Sequence, residues 1–263
     1  VEVAKKILLE NRRAGYTLPT NNKLYPAQWN WDSAFISLGY SYFNLDYAIQ
    51  ELETLLKGQW DDGMEPHILF HEVDDSYFPN HTTWSCGKEI PSSGITQPPI
   101  AASILRIIVK NNSLDETQNK KVFNLVCKLK KYHEWFFKNR DQNQSGLISI
   151  IHPWESGYDN SPLWDFALSK INVDKNLSYE RRDLKVSNND ERPLNKDYDC
   201  YITLLNQFKS DNYNPNKLLN KSMFNIVDIG FNSIFLKANK DLIELLKLFK
   251  LDYLDLEEKI KKT

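Results

Sequence analysis

The stretch Asp32-Ser33-Ala34-Phe35-Ile36-Ser37-Leu38-Gly39-Tyr40-Ser41-Tyr42-Phe43 decides the architecture. Small and apolar side chains fall on nearly every side of a 3.6-residue period, which predicts a helix buried on most of its faces. Its neighbours read differently. Residues 1–13 set Val3, Ile7 and Leu8 against Lys and Glu, a half-exposed helix, before Gly15, Pro19 and Asn21-Asn22 break it. Residues 46–58 are amphipathic, with Ala48, Ile49, Leu52, Leu55 and Leu56 on one stripe. Residues 60–97 read as one long loop, and loops of that length are usually functional.

A second helix apolar all round is expected over 98–109, with Pro98 and Pro99 tolerated in its first turn. Residues 117–138 return to an amphipathic stripe of Val122, Leu125, Val126, Leu129, Tyr132, Trp135 and Phe136. A short apolar helix follows at 163–168, then a polar segment over 172–196, a helix near 196–210 and a long one over about 223–249. Gly146-Leu147-Ile148-Ser149-Ile150-Ile151 has the composition of a local strand, but no sheet is expected. Amphipathic and all-round apolar helices thus alternate, as they do when outer helices surround an inner ring. An all-α (α/α)6 toroid satisfies the pattern; a four-helix bundle would make every helix amphipathic. In such a ring the loops at one end of the inner helices converge on its axis, and Trp31-Asp32, Gln97 and Asp159 each stand where a loop meets an apolar helix.

The chain has 41% hydrophobic and 13% aromatic residues, enough for a sizeable core, and its seven Trp and thirteen Tyr exceed what packing alone requires. A formal net charge of −2 leaves no footprint for nucleic acid or an anionic membrane. No apolar run is long enough to span a bilayer. Cys86, Cys127 and Cys200 are odd in number and lie in no metal-ligand spacing, which predicts free thiols in a reducing, cytoplasmic setting. An amphipathic helix at the N-terminus in place of a signal peptide agrees with that location. The absence of an initial Met points to a chain cut at that end.

The densest chemistry lies in His152-Pro153-Trp154-Glu155-Ser156-Gly157-Tyr158-Asp159-Asn160-Ser161-Pro162-Leu163-Trp164. Aromatic faces beside carboxyls and amides suit a sugar, whose CH faces stack on rings while its hydroxyls hydrogen-bond. Asp159 reads in two ways, as the N-cap of the following helix or as a general acid. Its aromatic surround of Trp154, Tyr158 and Trp164 favours the acid, because rings would desolvate the carboxyl and keep it protonated. Glu155 is open between binding hydroxyls and buttressing the loop. Gln28-Trp29-Asn30-Trp31-Asp32-Ser33 repeats the chemistry, with Asp32 either a helix cap or a hydroxyl acceptor and Trp31 a stacking platform. His67 and His71 are four apart but lack a zincin partner, so His67 reads as a hydroxyl binder and no metal or cofactor is expected. Gln97, before the second inner helix, offers an amide at the mouth.

These motifs resemble family 63 glycoside hydrolases, in particular the bacterial mannosylglycerate and glucosylglycerate hydrolases. The resemblance is carried by Tyr25-Pro26-Ala27-Gln28-Trp29-Asn30-Trp31-Asp32-Ser33-Ala34-Phe35, Glu65-Pro66-His67, Ser93-Gly94-Ile95-Thr96-Gln97-Pro98-Pro99 and His152 through Pro162. Arg192-Pro193, Tyr198, Tyr201, Phe231-Asn232-Ser233-Ile234 and Ala238-Asn239 extend it, in family order. It implies that Asp159 is the general acid of an inverting hydrolase acting on a small sugar substrate. It also implies that Tyr25, Trp31, Asp32, His67, Gln97 and Tyr158 hold the terminal glucosyl or mannosyl unit. Tyr77, Arg192 and Tyr198 would hold the glycerate carboxylate, with the 172–196 segment over the mouth; an Arg fork suits that anion. The family's catalytic base is a later Glu, and nothing here matches its region. Residues 1–263 are therefore expected to be the N-terminal portion of a single catalytic domain, inactive in isolation. The alternatives are a trehalase or α-glucosidase of the same fold, whose substrates lack a carboxylate for Arg192, and a truncated, inactive sugar-binding protein.

Overall fold

Side-chain caps set where several helices begin. In this computed structural model, which describes residues 1–20, 24–188, 190 and 192–263, α1 (Glu2–Asn11) precedes α2 (Asn30–Ser41) and α3 (Leu45–Leu55). Asn44 opens α3 by accepting the Tyr47 amide at 3.0 Å, which satisfies a donor that the helix leaves free. A single turn, α4 (His81–Trp84), lies within 60–97, followed by α5 (Ala101–Asn111) and α6 (Glu116–Asn139). A capping box starts α6: Gln118 N donates to Asp115 Oδ1 at 2.8 Å and Asp115 N donates to Gln118 Oε1 at 3.1 Å. Then come α7 (Asp165–Leu168), α8 (Asn195–Ser210), α9 (Pro215–Lys221), α10 (Ile229–Leu248) and α11 (Leu254–Ile260). Asp228 caps α10 by accepting Phe231 N at 2.6 Å.

The helices pack in two layers, an all-α, toroid-like arrangement. α2 packs on α5 and α5 on α10, while α1 and α3 lie against α2 and α6 joins α3 to α10. Leu52, Leu105, Leu129, Phe231, Phe235 and Leu242 are fully buried between the layers. Each such side chain stabilises the fold by roughly 1.5–3 kcal/mol relative to exposure. The stripe expected on α6 is buried throughout, from Val122 to Phe136. No helix among the described residues is long and apolar enough to cross a membrane.

Several expectations are corrected. The inner helices are not buried all round: Phe35 on α2 is 51% exposed and Tyr42, just past its end, 76%, while Ala34 and Tyr40 are at 0%. α5 has a polar side too, and Pro98 and Pro99 precede it rather than form its first turn. On α1, Val3 and Ile7 face solvent and Leu8 packs inward. In the short 163–168 helix Leu163 and Phe166 are exposed. Apolarity on a helical wheel shows what can be buried, not which sides have neighbours. The helix expected from about 223 begins at Ile229, after α9 and a strand.

Sheets are present after all. β1 (Gln28–Trp29), β2 (Ile68–Leu69), β3 (Cys86–Gly87) and β4 (Pro91–Ser92) pair antiparallel in the order β1-β2-β4-β3, and β5 (Ser149–Ile150) pairs with β6 (Ile226–Val227). Strands of two residues carry no alternation for a sequence reading to detect. They give 60–97 its order and pin the approach to His152. Asn21-Asn22, read as part of a loop, and Asn189 and Glu191 of the polar segment lie outside the described residues.

Candidate active site

Asp159 is presented by a stretch that is anchored from both ends. Upstream, α10 holds Ile148: Asn232 Oδ1 accepts Ile148 N at 2.7 Å and Asn232 Nδ2 donates to Ile148 O at 2.9 Å. His152 then locks the turn, accepting Trp154 N at Nδ1 and donating from Nε2 to Tyr201 O, both at 3.1 Å. Glu155 is a buttress. Arg140 grips both of its oxygens at 2.8 and 3.2 Å, and the amides of Ile151 and Thr96 donate to it at 2.8 and 3.2 Å. The side chains of this pair are 3% and 1% exposed. Because Thr96 adjoins Gln97, one carboxylate ties two arms of the site together.

Gly157 follows with φ +78, and a Cβ there would stand 2.5 Å from the Trp31 ring. Glycine alone permits both the left-handed turn and that approach. Asp159 does not cap the next helix; Ser161 does, accepting Leu163 N at 3.3 Å. Tyr201 Oη donates to Asp159 O at 2.9 Å, which fixes the backbone. Asp32 likewise lies in the first turn of α2 and is not its cap. Gln97 instead holds that end, accepting Trp31 N at its Oε1 at 3.1 Å. The junction at Asp159 leads into α7 rather than into a ring helix, yet its side chain still converges with the other two.

A cavity of about 240 Å³ is lined by Tyr25, Trp31, Asp32, His67, Tyr77, Gln97, Asp159, Arg192 and Tyr198 together. Tyr158 is not among the lining residues. Its hydroxyl donates to Asp228 and its ring stacks on Trp164 at 5.5 Å, so the cap of α10 takes it instead. Trp29, Phe78, Trp154 and Asp183 also line the cavity but were not singled out as binding residues. Trp29 and Trp154 carried a signal, the ring beside a carboxyl or amide. Asp183 carried none, being one acid in a charged run.

Burial sets the electrostatics. The Asp159 carboxyl is held above its ordinary pKa by desolvation, against the opposing pull of the Arg192 guanidinium and a hydrogen bond from Trp154. Asp32 is pushed up to about 6, again by loss of water. His67 is driven well below 6.5 by burial and by nearby His152, so its ring is neutral; it lies 12° from parallel to Trp154 at 6.2 Å, with Nδ1 3.2 Å from Ser93 Oγ. His71 faces elsewhere, stacked on Tyr16 at 4.2 Å.

Opposite stands a cationic corner. Arg192 Nε donates to Asp183 Oδ2 at 2.8 Å and its Nη1 to Tyr25 Oη at 3.2 Å. Arg181 grips the same carboxylate at 2.7 and 3.1 Å and lies over the Tyr198 ring at 4.3 Å. Burial alone would raise the Asp183 pKa, but the two guanidinium groups outweigh it and hold it low. Two cations and one anion leave the cluster with one net positive charge, and of the three it is Arg192 and Asp183 that line the cavity. Tyr179 stacks on Phe78 at 5.4 Å, which docks the polar segment on the loop that carries Tyr77.

Residues 25–262 match the profile of the mannosylglycerate hydrolase MGH1-like glycoside hydrolase domain. Mannosylglycerate hydrolase of Thermus thermophilus is 43% identical over 260 residues, covering 97% of this chain and 62% of that protein. Glucosylglycerate hydrolase of Mycolicibacterium hassiacum is 33% identical over 248 residues, covering 89% of this chain and 56% of that one. The crystal structure of the Thermus thermophilus GH63 mannosylglycerate hydrolase with Tris and D-glycerate superposes with a TM-score of 0.94 at 43% identity, covering 98% of this chain and 62% of that chain. The same enzyme has been crystallised with glucose. The chain therefore spans less than two thirds of the length of these relatives.

Proposed function

This chain belongs to the mannosylglycerate hydrolase MGH1-like glycoside hydrolases of family 63, and from that membership we propose that it forms the N-terminal portion of a catalytic domain that hydrolyses the α-glycosidic bond of mannosylglycerate or glucosylglycerate with inversion. One observation carries the reading: a desolvated carboxyl, Asp159, and a guanidinium held by Asp183 and Tyr25 face one aromatic-walled cavity. In this reading Asp159 protonates the leaving glycosidic oxygen. Trp31 stacks on the sugar, while Asp32, His67 and Gln97 bind its hydroxyls.

Arg192, with Tyr77 and Tyr198, receives the glycerate carboxylate, and the 172–196 segment that delivers it lies over the mouth. Trehalose has no anion for that corner. An inverting mechanism also needs a base that activates water from a second carboxylate, roughly 6.5–9.5 Å from the acid. We assign that base to a Glu outside these 263 residues, so the isolated chain should bind sugar weakly and turn nothing over. The test is to incubate the protein that carries this sequence with mannosylglycerate, glucosylglycerate and trehalose, following the released anomer by proton NMR. The β-anomer appearing first from a glycerate substrate is the expected result. Cleavage of trehalose alone overturns the glycerate reading, and an α-anomer overturns inversion.

A further inference from the structure

The 91–97 segment has two sides. On one, Ser93 meets His67 and Gln97 holds Trp31, as described. On the other lies a second cavity of about 650 Å³, walled by Trp60 and Tyr213 with ring centroids 6.2 Å apart at 87°. Trp60 Nε1 donates to Ser92 Oγ at 3.1 Å and Tyr213 Oη to Trp84 O at 2.5 Å. The polar atom of each ring is thus tied into the scaffold, and the flat faces form two sides of an L. Tyr213 rests on Gly94, where a Cβ would come within 2.1 Å of its ring. Trp84, fully buried, stands between the two cavities, 6.4 Å from Tyr213 and 6.1 Å from Trp154.

The rim is polar and electrically balanced. Lys88 pairs with Asp61, Lys209 Nζ donates to Thr83 O at 3.0 Å, and Asp62 accepts Trp135 Nε1 at 2.8 Å. Two lysines and two aspartates cancel. Backbone strain also gathers here: Ser85, Asn212 and Tyr213 have φ of 53, 52 and 52. For a bulky residue such as Tyr213 that conformation is a genuine outlier, held only because the surroundings over-determine it.

We propose that this second cavity is a binding site for a neutral saccharide, separate from the candidate active cavity, its two rings resting on Ser92 and Gly94 of the 91–97 segment. Perpendicular rings offer a stacking face and a flank for a pyranose, while the rim supplies ammonium, carboxylate and amide groups for its hydroxyls. Zero net charge selects against an anionic ligand, in contrast to the Arg192 corner. Calorimetric titration of the protein that carries this sequence with maltose, which bears no carboxylate, tests this. Saturable binding in the millimolar range is expected, weakened at least about tenfold in Trp60→Ala and unchanged in Trp31→Ala. Asn212→Gly keeps the left-handed turn but removes the amide, and should weaken binding about threefold. If Trp60→Ala fails to fold, Asn212→Gly decides, and unchanged affinity there overturns the assignment. So does loss of binding through Trp31→Ala, or no saturable heat up to about 50 mM, well beyond a 1 mM Kd.

Discussion

Water is withdrawn from both Asp32 and Asp159, and each carboxyl responds by holding its proton more tightly. For Asp159 that is the state a general acid needs at neutral pH. Asp159→Asn should lower turnover by the protein carrying this sequence by about 10²–10⁴-fold, with the melting temperature unchanged or raised; activity near wild type would remove it from the role. Asp32 makes a stability prediction. Its folded pKa of about 6 lies above the ordinary carboxylate value of roughly 3.9, so the native state binds the extra proton. Stability is then full below about pH 4 and falls as pH rises towards 6, where folded Asp32 ionises. Asp32→Asn escapes this loss. Thermal melts should show the variant more stable by about 3 kcal/mol at pH 8, with the gain vanishing at pH 4. An equal gain at both values would contradict the assignment.

The elements around these residues are short, and their order comes from a few buried contacts. Glu155 joins the arm carrying Gln97 to the arm carrying Asp159 through Arg140, Thr96 and Ile151. Removing one member of a buried ion pair leaves the other desolvated and alone, so Glu155→Ala should cost about 3–5 kcal/mol in urea unfolding. Glu155 and Arg140 should also be coupled: the double alanine variant should lose less than the two singles summed. Strict additivity would mean that each acts through other partners. Gly157→Ala makes a different demand, because it places a methyl against Trp31 at a left-handed turn. A loss of about 1–3 kcal/mol is expected from the backbone alone, read as a lowered melting temperature, with Trp31 displaced from the cavity.

Over the whole molecule, the site is assembled from segments far apart in the chain. Tyr25 meets Arg192, Phe78 meets Tyr198, and Thr96 meets Glu155. The two helical layers bring the loops carrying these residues to a common mouth, and the polar segment closes on it through the Arg181–Asp183–Arg192 cluster. In the proposed reaction this cluster gives selectivity for an anionic aglycone. Arg192→Ala should raise KM for mannosylglycerate by about 10–100-fold while leaving an uncharged α-mannoside unaffected. Equal losses on both substrates would show that Arg192 serves the fold rather than the carboxylate.

The sequence by itself determined the helical class, and it pointed to most of the residues that line the candidate cavity. Both are written locally, in a 3.6-residue period or in rings set beside Asp32 and Asp159. Which faces were covered was decided only by the tertiary structure. Phe35 and Tyr42 are as apolar as Tyr40, yet exposure separates them because neighbours do. The two-residue strands, the diversion of Tyr158 to Asp228 and the capture of Arg192 by Asp183 were likewise invisible, since each depends on a partner fixed by packing rather than by spacing. For the same reason Glu155, open between binding and support, became a support: its four donors come from segments that only the folded chain brings together.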